Sequence, residues 1–255
     1  MVSIISYNVN GIRAAQKKGL LDWLAEEAPN ILCIQETKAQ PDQVDDGLLQ
    51  PPGYSSYWYS AQKKGYSGVA IYTNLTPNHV EYGCGIEAYD NEGRVVRADF
   101  DDFSVISVYI PSGSSGDARQ AVKEVFLEDF YQYIQELRKT IPNLIISGDY
   151  NICHKAIDIH DPVRNKNSSG FLPHEREWMT TFVDSGFVDS FRKFHQDGDH
   201  YSWWSYRANA RARNKGWRID YQMVAESIAD KCIGASILPD VKHSDHCPIK
   251  LEMDF

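Results

Sequence analysis

Leu144-Ile145-Ile146-Ser147-Gly148-Asp149-Tyr150-Asn151 is an aliphatic run that stops on an acid and an amide. Three other stretches end the same way: Ile4-Ile5-Ser6-Tyr7-Asn8, Ile31-Leu32-Cys33-Ile34-Gln35-Glu36 and Val105-Ile106-Ser107-Val108-Tyr109. Short β-branched runs of this kind read as strands buried on both faces. If such strands end on a common rim, Asn8, Glu36, Tyr109 and Asp149 converge there. The runs ending at Asn8 and at Asn151 also resemble each other, as a faint internal duplication or as similar strand composition.

Helical stripes lie between the runs. Leu20, Leu21, Leu24 and Ala28 form one that Pro29 stops. Ala118, Val122, Val125, Phe126, Phe130, Tyr133, Ile134 and Leu137 form another, with Asp117 placed as its N-cap and Pro142 barring continuation. A third starts after Pro173, turning Trp178, Met179, Phe182 and Val183 inward and ending near Gly186. Arg94–Phe100 and Phe103–Ile110 flank Asp101-Asp102 as a hairpin, another strand spans Val69–Tyr72, and the alternation of Ile249, Leu251, Met253 and Phe255 is that of a half-exposed strand. Direct hairpins fit poorly with a purely parallel, doubly wound sheet, which needs a crossover between all neighbouring strands. The expected fold is two mixed, mainly antiparallel sheets packed together with helices outside.

The chain has 255 residues, 42% hydrophobic and 12% aromatic, with no linker or composition shift to divide it, so residues 1–255 read as one domain. A net charge of −9 argues against a generic basic nucleic-acid binder but leaves room for a local basic groove. Five scattered cysteines without a C-x-x-C pair give neither a disulfide framework nor a thiolate zinc site. No signal peptide or membrane-spanning stretch is evident. The expectation is a cytoplasmic monomer.

The chemistry-bearing residues each admit a plain reading beside a functional one. Glu36 follows four apolar residues and Gln35, where a carboxylate is costly unless paired or metal-bound; it also reads as a surface residue past the strand. Asp149 and Asn151, alternate residues of one extended segment, can share a face as proton acceptor and oxyanion donor, or form an Asx-turn. Asn8 and Asn10 repeat that alternation. His246 in Ser244-Asp245-His246 needs a distant carboxylate to orient it, and Asp220 is the candidate. Between His200 and Ile219 there is no acidic residue; Arg207, Arg211, Arg213, Lys215 and Arg218 alternate with Trp203, Trp204, Tyr206 and Trp217. Such a segment can grip phosphates and stack on sugars or bases, or be a basic loop over core tryptophans. No Walker A, G-x-G-x-x-G, G-x-S-x-G or H-E-x-x-H motif occurs.

Taken in order, these motifs resemble the exonuclease III family of apurinic/apyrimidinic endonucleases, within the DNase I-like endonuclease/exonuclease/phosphatase superfamily. The resemblance rests on Asn8-Val9-Asn10-Gly11-Ile12-Arg13-Ala14, Leu32 to Lys38, Gly65-Tyr66-Ser67-Gly68-Val69, Tyr109-Ile110-Pro111 and Gly148-Asp149-Tyr150-Asn151. It continues through Gly170-Phe171-Leu172-Pro173-His174-Glu175-Arg176, Trp217-Arg218-Ile219-Asp220-Tyr221 and Ser244 to Ile249. It implies a four-layered α/β sandwich and Mg²⁺- or Mn²⁺-dependent cleavage of double-stranded DNA, 5′ to abasic sites and from 3′ ends. By the same resemblance Glu36 is the principal metal ligand, with Asn8, Asp149, Asn151, Asp245 and His246 around the ion. Asp149 activates water, Asn151 stabilises the phosphorane, Tyr109 addresses the leaving side or the phosphate, and Asp220 orients His246. Arg13, Lys38, Tyr66, Asn165, Ser168, Trp203, Arg207 and Trp217 fall on the DNA side. The chain departs from the pattern at Asn10, where some relatives carry Asp, and at Ser112, where relatives often have Asn. Rival readings are a phosphoesterase of RNA, inositol phosphate or sphingolipid, and an inactive DNA-binding module.

Overall fold

A computed structural model describes residues 1–255. Its strands are β1 (Val2–Asn8), β2 (Ile31–Gln35), β3 (Ser55–Tyr59), β4 (Val69–Thr73), β5 (His79–Tyr82), β6 (Val95–Asp99), β7 (Ser104–Tyr109), β8 (Leu144–Asp149), β9 (Phe187–Asp189), β10 (Asp220–Ala225), β11 (Cys232–Ile237) and β12 (Ile249–Met253). The helices are α1 (Ile12–Gln16), α2 (Leu20–Glu27), α3 (Asp46–Leu49), α4 (Glu87–Asp90), α5 (Asp117–Leu137), α6 (Pro173–Asp184) and α7 (Ser190–Phe194). Two six-stranded sheets form, in the orders β11-β12-β1-β2-β4-β3 and β5-β6-β7-β8-β10-β9. Apolar side chains of α1 and α2 pack with outward residues of the first sheet, and those of α5 and α6 join the main core. This is the expected four-layered sandwich.

The four aliphatic runs are β1, β2, β7 and β8, and they make the only two parallel pairs, β1 with β2 and β7 with β8. All other pairings are antiparallel. A parallel pair delivers both C-terminal ends to one side, so each sheet brings two chemistry-bearing ends together. The antiparallel neighbours β10 and β12 begin at the same rim: Asp220 pairs with Asp149, and His246 lies just before β12. Each sheet repeats the order antiparallel, parallel, antiparallel around β1 or β8, in keeping with an internal duplication. Buried polar bonds tie the layers where apolar contact alone would leave register loose: Gln35 Nε2 donates to Ser107 Oγ at 3.0 Å and Gln222 Nε2 to the Ile4 carbonyl at 3.1 Å.

Two details of the long helix differ from the sequence reading. Gly116 occupies the N-cap and no side chain caps the helix, so Asp117 is its first residue and acts on the helix dipole rather than as a cap. Val122 and Val125 are 40% and 58% exposed. The inward face instead carries Lys123, Phe126, Leu127, Phe130 and Ile134.

Gly148 is required by close approach. A Cβ there would lie 1.9 Å from the Val108 carbonyl oxygen on the parallel neighbour. Gly148→Ala is expected to cost about 3 kcal/mol, the upper range for overpacking a core, read as a lowered urea midpoint at unchanged m-value. A midpoint equal to wild type would show that the β7–β8 pair can part without cost.

Candidate active site

The strand ends converge. Asn8 is fully buried, and its Nδ2 donates to Glu36 Oε1 at 2.9 Å and to Asp149 Oδ2 at 2.8 Å, linking the first sheet to the second. Glu36 and Asn151 stand one and two residues beyond their strands with φ of 54° and 52°. Left-handed backbone at non-glycine residues costs on the order of 1–3 kcal/mol and persists only where surroundings enforce it. Here it turns both side chains back over the rim. Asn151 therefore meets Asp149 through this bend and not along an extended segment: its N–H donates to Asp149 Oδ1 at 2.8 Å and its Nδ2 to Oδ2 at 3.1 Å.

His246 Nδ1 lies 2.9 Å from Asp220 Oδ2, and Nε2 lies 3.9 Å from Asp149 Oδ2. Burial opposes charging this ring, but the carboxylate of Asp220 overrides it and raises His246 to about 10. Burial and the charge of Asp220 push Asp149 up to about 8, against the pull of His246. The pair thus sets a proton donor beside a carboxyl able to accept a proton near neutrality. Ser202, which the sequence reading passed over, completes the arrangement. Its Oγ donates to Asp220 Oδ2 at 2.6 Å while accepting the N–H groups of Ile219 and Asp220 at 3.1 Å. The Tyr109 phenol is held protonated by burial and by the charges of Glu36 and Asp149. The Arg94 guanidinium sits 4.9 Å from the centre of its ring.

One ligand atom each from Glu36, Asp149 and His246 falls within 4.8 Å of the others. Carboxylate oxygens at this spacing fit a hard divalent cation. The other expected ligands are turned differently. Asn8 and Asn151 present their amide nitrogens to the carboxylates. Asp245 accepts from Asn10 Nδ2 at 2.9 Å and from Trp203 Nε1 at 3.0 Å. Burial opposes its charge, yet His246 and these two donors hold it below the ordinary value. Lys38 lies against the cluster, with Nζ 2.6 Å from Glu36 Oε2 and 2.6 Å from Asn10 Oδ1.

The site opens into a pocket of about 270 Å³ lined by Trp203 and Trp217 and also by Ser112, Ser114 and Ser169. The two indoles meet edge to face at 5.9 Å. The basic segment divides into two classes. Arg207, Arg213 and Lys215 are exposed. Arg218 is 1% exposed and bound to Asp158 and Asp189, and Trp204 is core. Arg211 donates to the carbonyls of Ser244, Pro239 and Val241, stapling the loop that presents Asp245 and His246. Arg211 and Arg218 are thus not phosphate grips, because the fold already holds both terminal nitrogens of Arg211 and the guanidinium of Arg218. Arg13 is exposed on α1, and with Lys17 and Lys38 it lines a shallow cleft on the Glu36 side. The Tyr66 hydroxyl accepts from Arg94 and Arg119 at 2.9 Å each. Asn165 directs its Nδ2 to the His160 and Asp161 carbonyls, while Ser168 lines a depression beside Trp217.

The sequence profile described as "Endonuclease/Exonuclease/phosphatase family" matches residues 5–246. The chain belongs to this family. Within it the resemblance is to the exonuclease III type: an exodeoxyribonuclease of Bacillus subtilis is 47% identical over 252 residues, 98% of each chain. An AP endonuclease from Archaeoglobus fulgidus superposes with a TM-score of 0.89 at 31% identity, covering 100% of both chains. A 3′ phosphatase from Neisseria, bound to a product DNA hairpin, superposes with a TM-score of 0.93 at 27% identity and the same coverage. No helix of this family member is long and apolar enough to cross a membrane.

Proposed function

We propose that the chain is a divalent-metal-dependent DNA phosphodiesterase of base excision repair, incising double-stranded DNA 5′ to abasic sites and trimming 3′ ends. The carrying observation is the Asp149–Asn151–His246–Asp220 group, placed with Glu36 at the floor of a pocket walled by two tryptophans. Glu36 is the principal ligand proposed for Mg²⁺ or Mn²⁺, joined by Asp149 and with Asn8, Asn151, Asp245 and His246 around it. When bound, the cation supplies positive charge that offsets the phosphate and makes water more acidic.

Asp149, its pKa raised by burial, takes the proton of the attacking water. His246, charged and held by Asp220, donates to a non-bridging phosphate oxygen, and Asn151 shares that charge. The P–O3′ bond breaks, leaving the phosphate with the abasic residue, and Tyr109 donates to the departing oxygen or its phosphate. Trp203 and Trp217 enclose the extruded sugar, which has no base to unstack. Arg13, Lys38, Tyr66, Asn165, Ser168 and Arg207 are assigned to the strands on either side. The five thiols are unpaired, which supports the proposed place in a reducing cytoplasm; a monomer is proposed with it.

A duplex with one tetrahydrofuran site tests this reading. Incision 5′ to that site is expected, abolished by EDTA and restored by Mg²⁺ or Mn²⁺. An intact duplex together with hydrolysis of an inositol or lipid phosphate overturns it.

A further inference from the structure

Behind the phosphate-facing side lies a further buried ion pair that none of these steps uses. Lys123 of α5 and Glu175 of α6 are both 0% exposed, with Nζ 2.5 Å from Oε1. A buried pair is seldom worth more than well-packed apolar residues of the same volume. Docking of α5 on α6 does not need it either. Phe126, Phe130, Met179 and Phe182 share one core, and Trp178 Nε1 donates to the Leu127 carbonyl at 3.0 Å.

The contacts of the pair point toward the site instead. Lys123 Nζ also donates to the Asn151 carbonyl at 2.8 Å. Glu175 Oε2 accepts the N–H groups of Gly170 at 2.7 Å and Leu172 at 3.0 Å. Gln120 extends the link, donating to Glu175 Oε1 at 3.1 Å and accepting from Ser169 Oγ at 2.7 Å. Gly170 is in turn pressed between Asn151 and Trp217: a Cβ on it would lie 3.0 Å from the Asn151 carbonyl oxygen and 3.0 Å from the Trp217 ring. One ion pair therefore grips the backbone of Asn151, which holds a left-handed φ of 52°, and the loop on which Trp217 rests.

We propose that Lys123 and Glu175 are positioning residues for phosphodiester cleavage, fixing from behind the pose of Asn151 over the phosphate and the seat of Trp217 against the sugar. The proposal rests on the reading of the site given above. A misplacement of about 1 Å in such groups costs roughly 10²-fold in rate.

The test removes both charges at once, as Lys123→Met with Glu175→Gln, because a single change strands a buried charge. Gln keeps an acceptor for Gly170 and Leu172. Incision of tetrahydrofuran DNA is measured for wild type, this double variant, Asn151→Ala and their combination, with kcat expressed per folded molecule. The expected result is a folded double variant with kcat down roughly 10- to 100-fold and KM within about twofold. In the Asn151→Ala background the same change should add much less, since coupled residues are not additive. An unchanged kcat, an equal loss in both backgrounds, or a double variant that does not fold overturns the proposal. A wild-type chain that leaves this DNA intact overturns the substrate reading alone; the same cycle is then read on bis(p-nitrophenyl) phosphate.

Discussion

Asp149→Asn lowers kcat for abasic-site incision by about 10³-fold, within the range for losing a general base or an oriented charge, while DNA affinity changes little. The substitution keeps the shape and one acceptor oxygen, which can take the Asn151 N–H bonded to Oδ1, while an NH2 group replaces the Oδ2 that accepts from Asn8. It removes the proton acceptor and one of the three carboxylates crowded around His246. Burial and Asp220 disfavour that charge in the wild type, which offsets the acceptor lost to Asn8, so the variant is expected to melt close to the wild-type temperature. A rate loss without a stability loss separates chemistry from folding. Single-turnover incision under saturating enzyme and a thermal melt measure both. A variant within threefold of wild-type rate would move the base elsewhere and leave Asp149 a structural acid. His246→Ala should lose roughly 10² or more by the same assay, because the donor to the phosphate is gone.

Much of this site was legible from where apolar runs stop. Asn8, Glu36, Tyr109 and Asp149 end strands in the sequence, and the two parallel pairs place those ends on one rim. Asp220 and His246 were paired on chemical need, since a ring must be oriented by a carboxylate outside its own neighbourhood, and they meet at 2.9 Å. Other features carry no local signal. Ser202 serves Asp220 from 18 residues away, and nothing in Tyr201-Ser202-Trp203 sets it apart from a turn serine. Lys123 sits in a helix whose neighbours, Val122 and Val125, look like the buried face. A lysine with its charge answered by Glu175, 52 residues on, reads as solvent-facing in a one-dimensional pattern. The left-handed turns at Glu36 and Asn151 were hidden too, because their strain is imposed by the sheets around them.

Arg218→Met destabilises the fold by about 3–5 kcal/mol, the cost of breaking a buried ion network by removing one partner. Arg218 Nε lies 2.7 Å from Asp158 Oδ1, and Nη2 lies 2.7 Å from Asp189 Oδ2. Without it Asp158 keeps Arg192, whose guanidinium also donates to the His195 and Asp197 carbonyls, while Asp189 loses its ion-pair partner. The pH dependence follows from Asp158. Burial works against its charge, yet Arg218 and Arg192 hold its pKa below the ordinary 3.8. A depressed folded pKa gives stability that is fully present above the unfolded value and lost as pH falls through the folded one. The gap between wild type and variant is therefore widest near pH 6–7 and narrows toward pH 3, where protonation relieves the stranded acids. Urea unfolding at both pH values measures it; a gap that widens on acidification would sink the assignment. Arg207→Ala supplies the opposite signature. This exposed arginine is proposed to meet a phosphate, so its loss should leave the melt unchanged and reduce the salt slope of DNA binding by about 1. A folded Arg218 variant should keep the wild-type slope. Two arginines 11 residues apart in one basic segment thus do different work, and the difference lies in which of them the acids of the fold have already claimed.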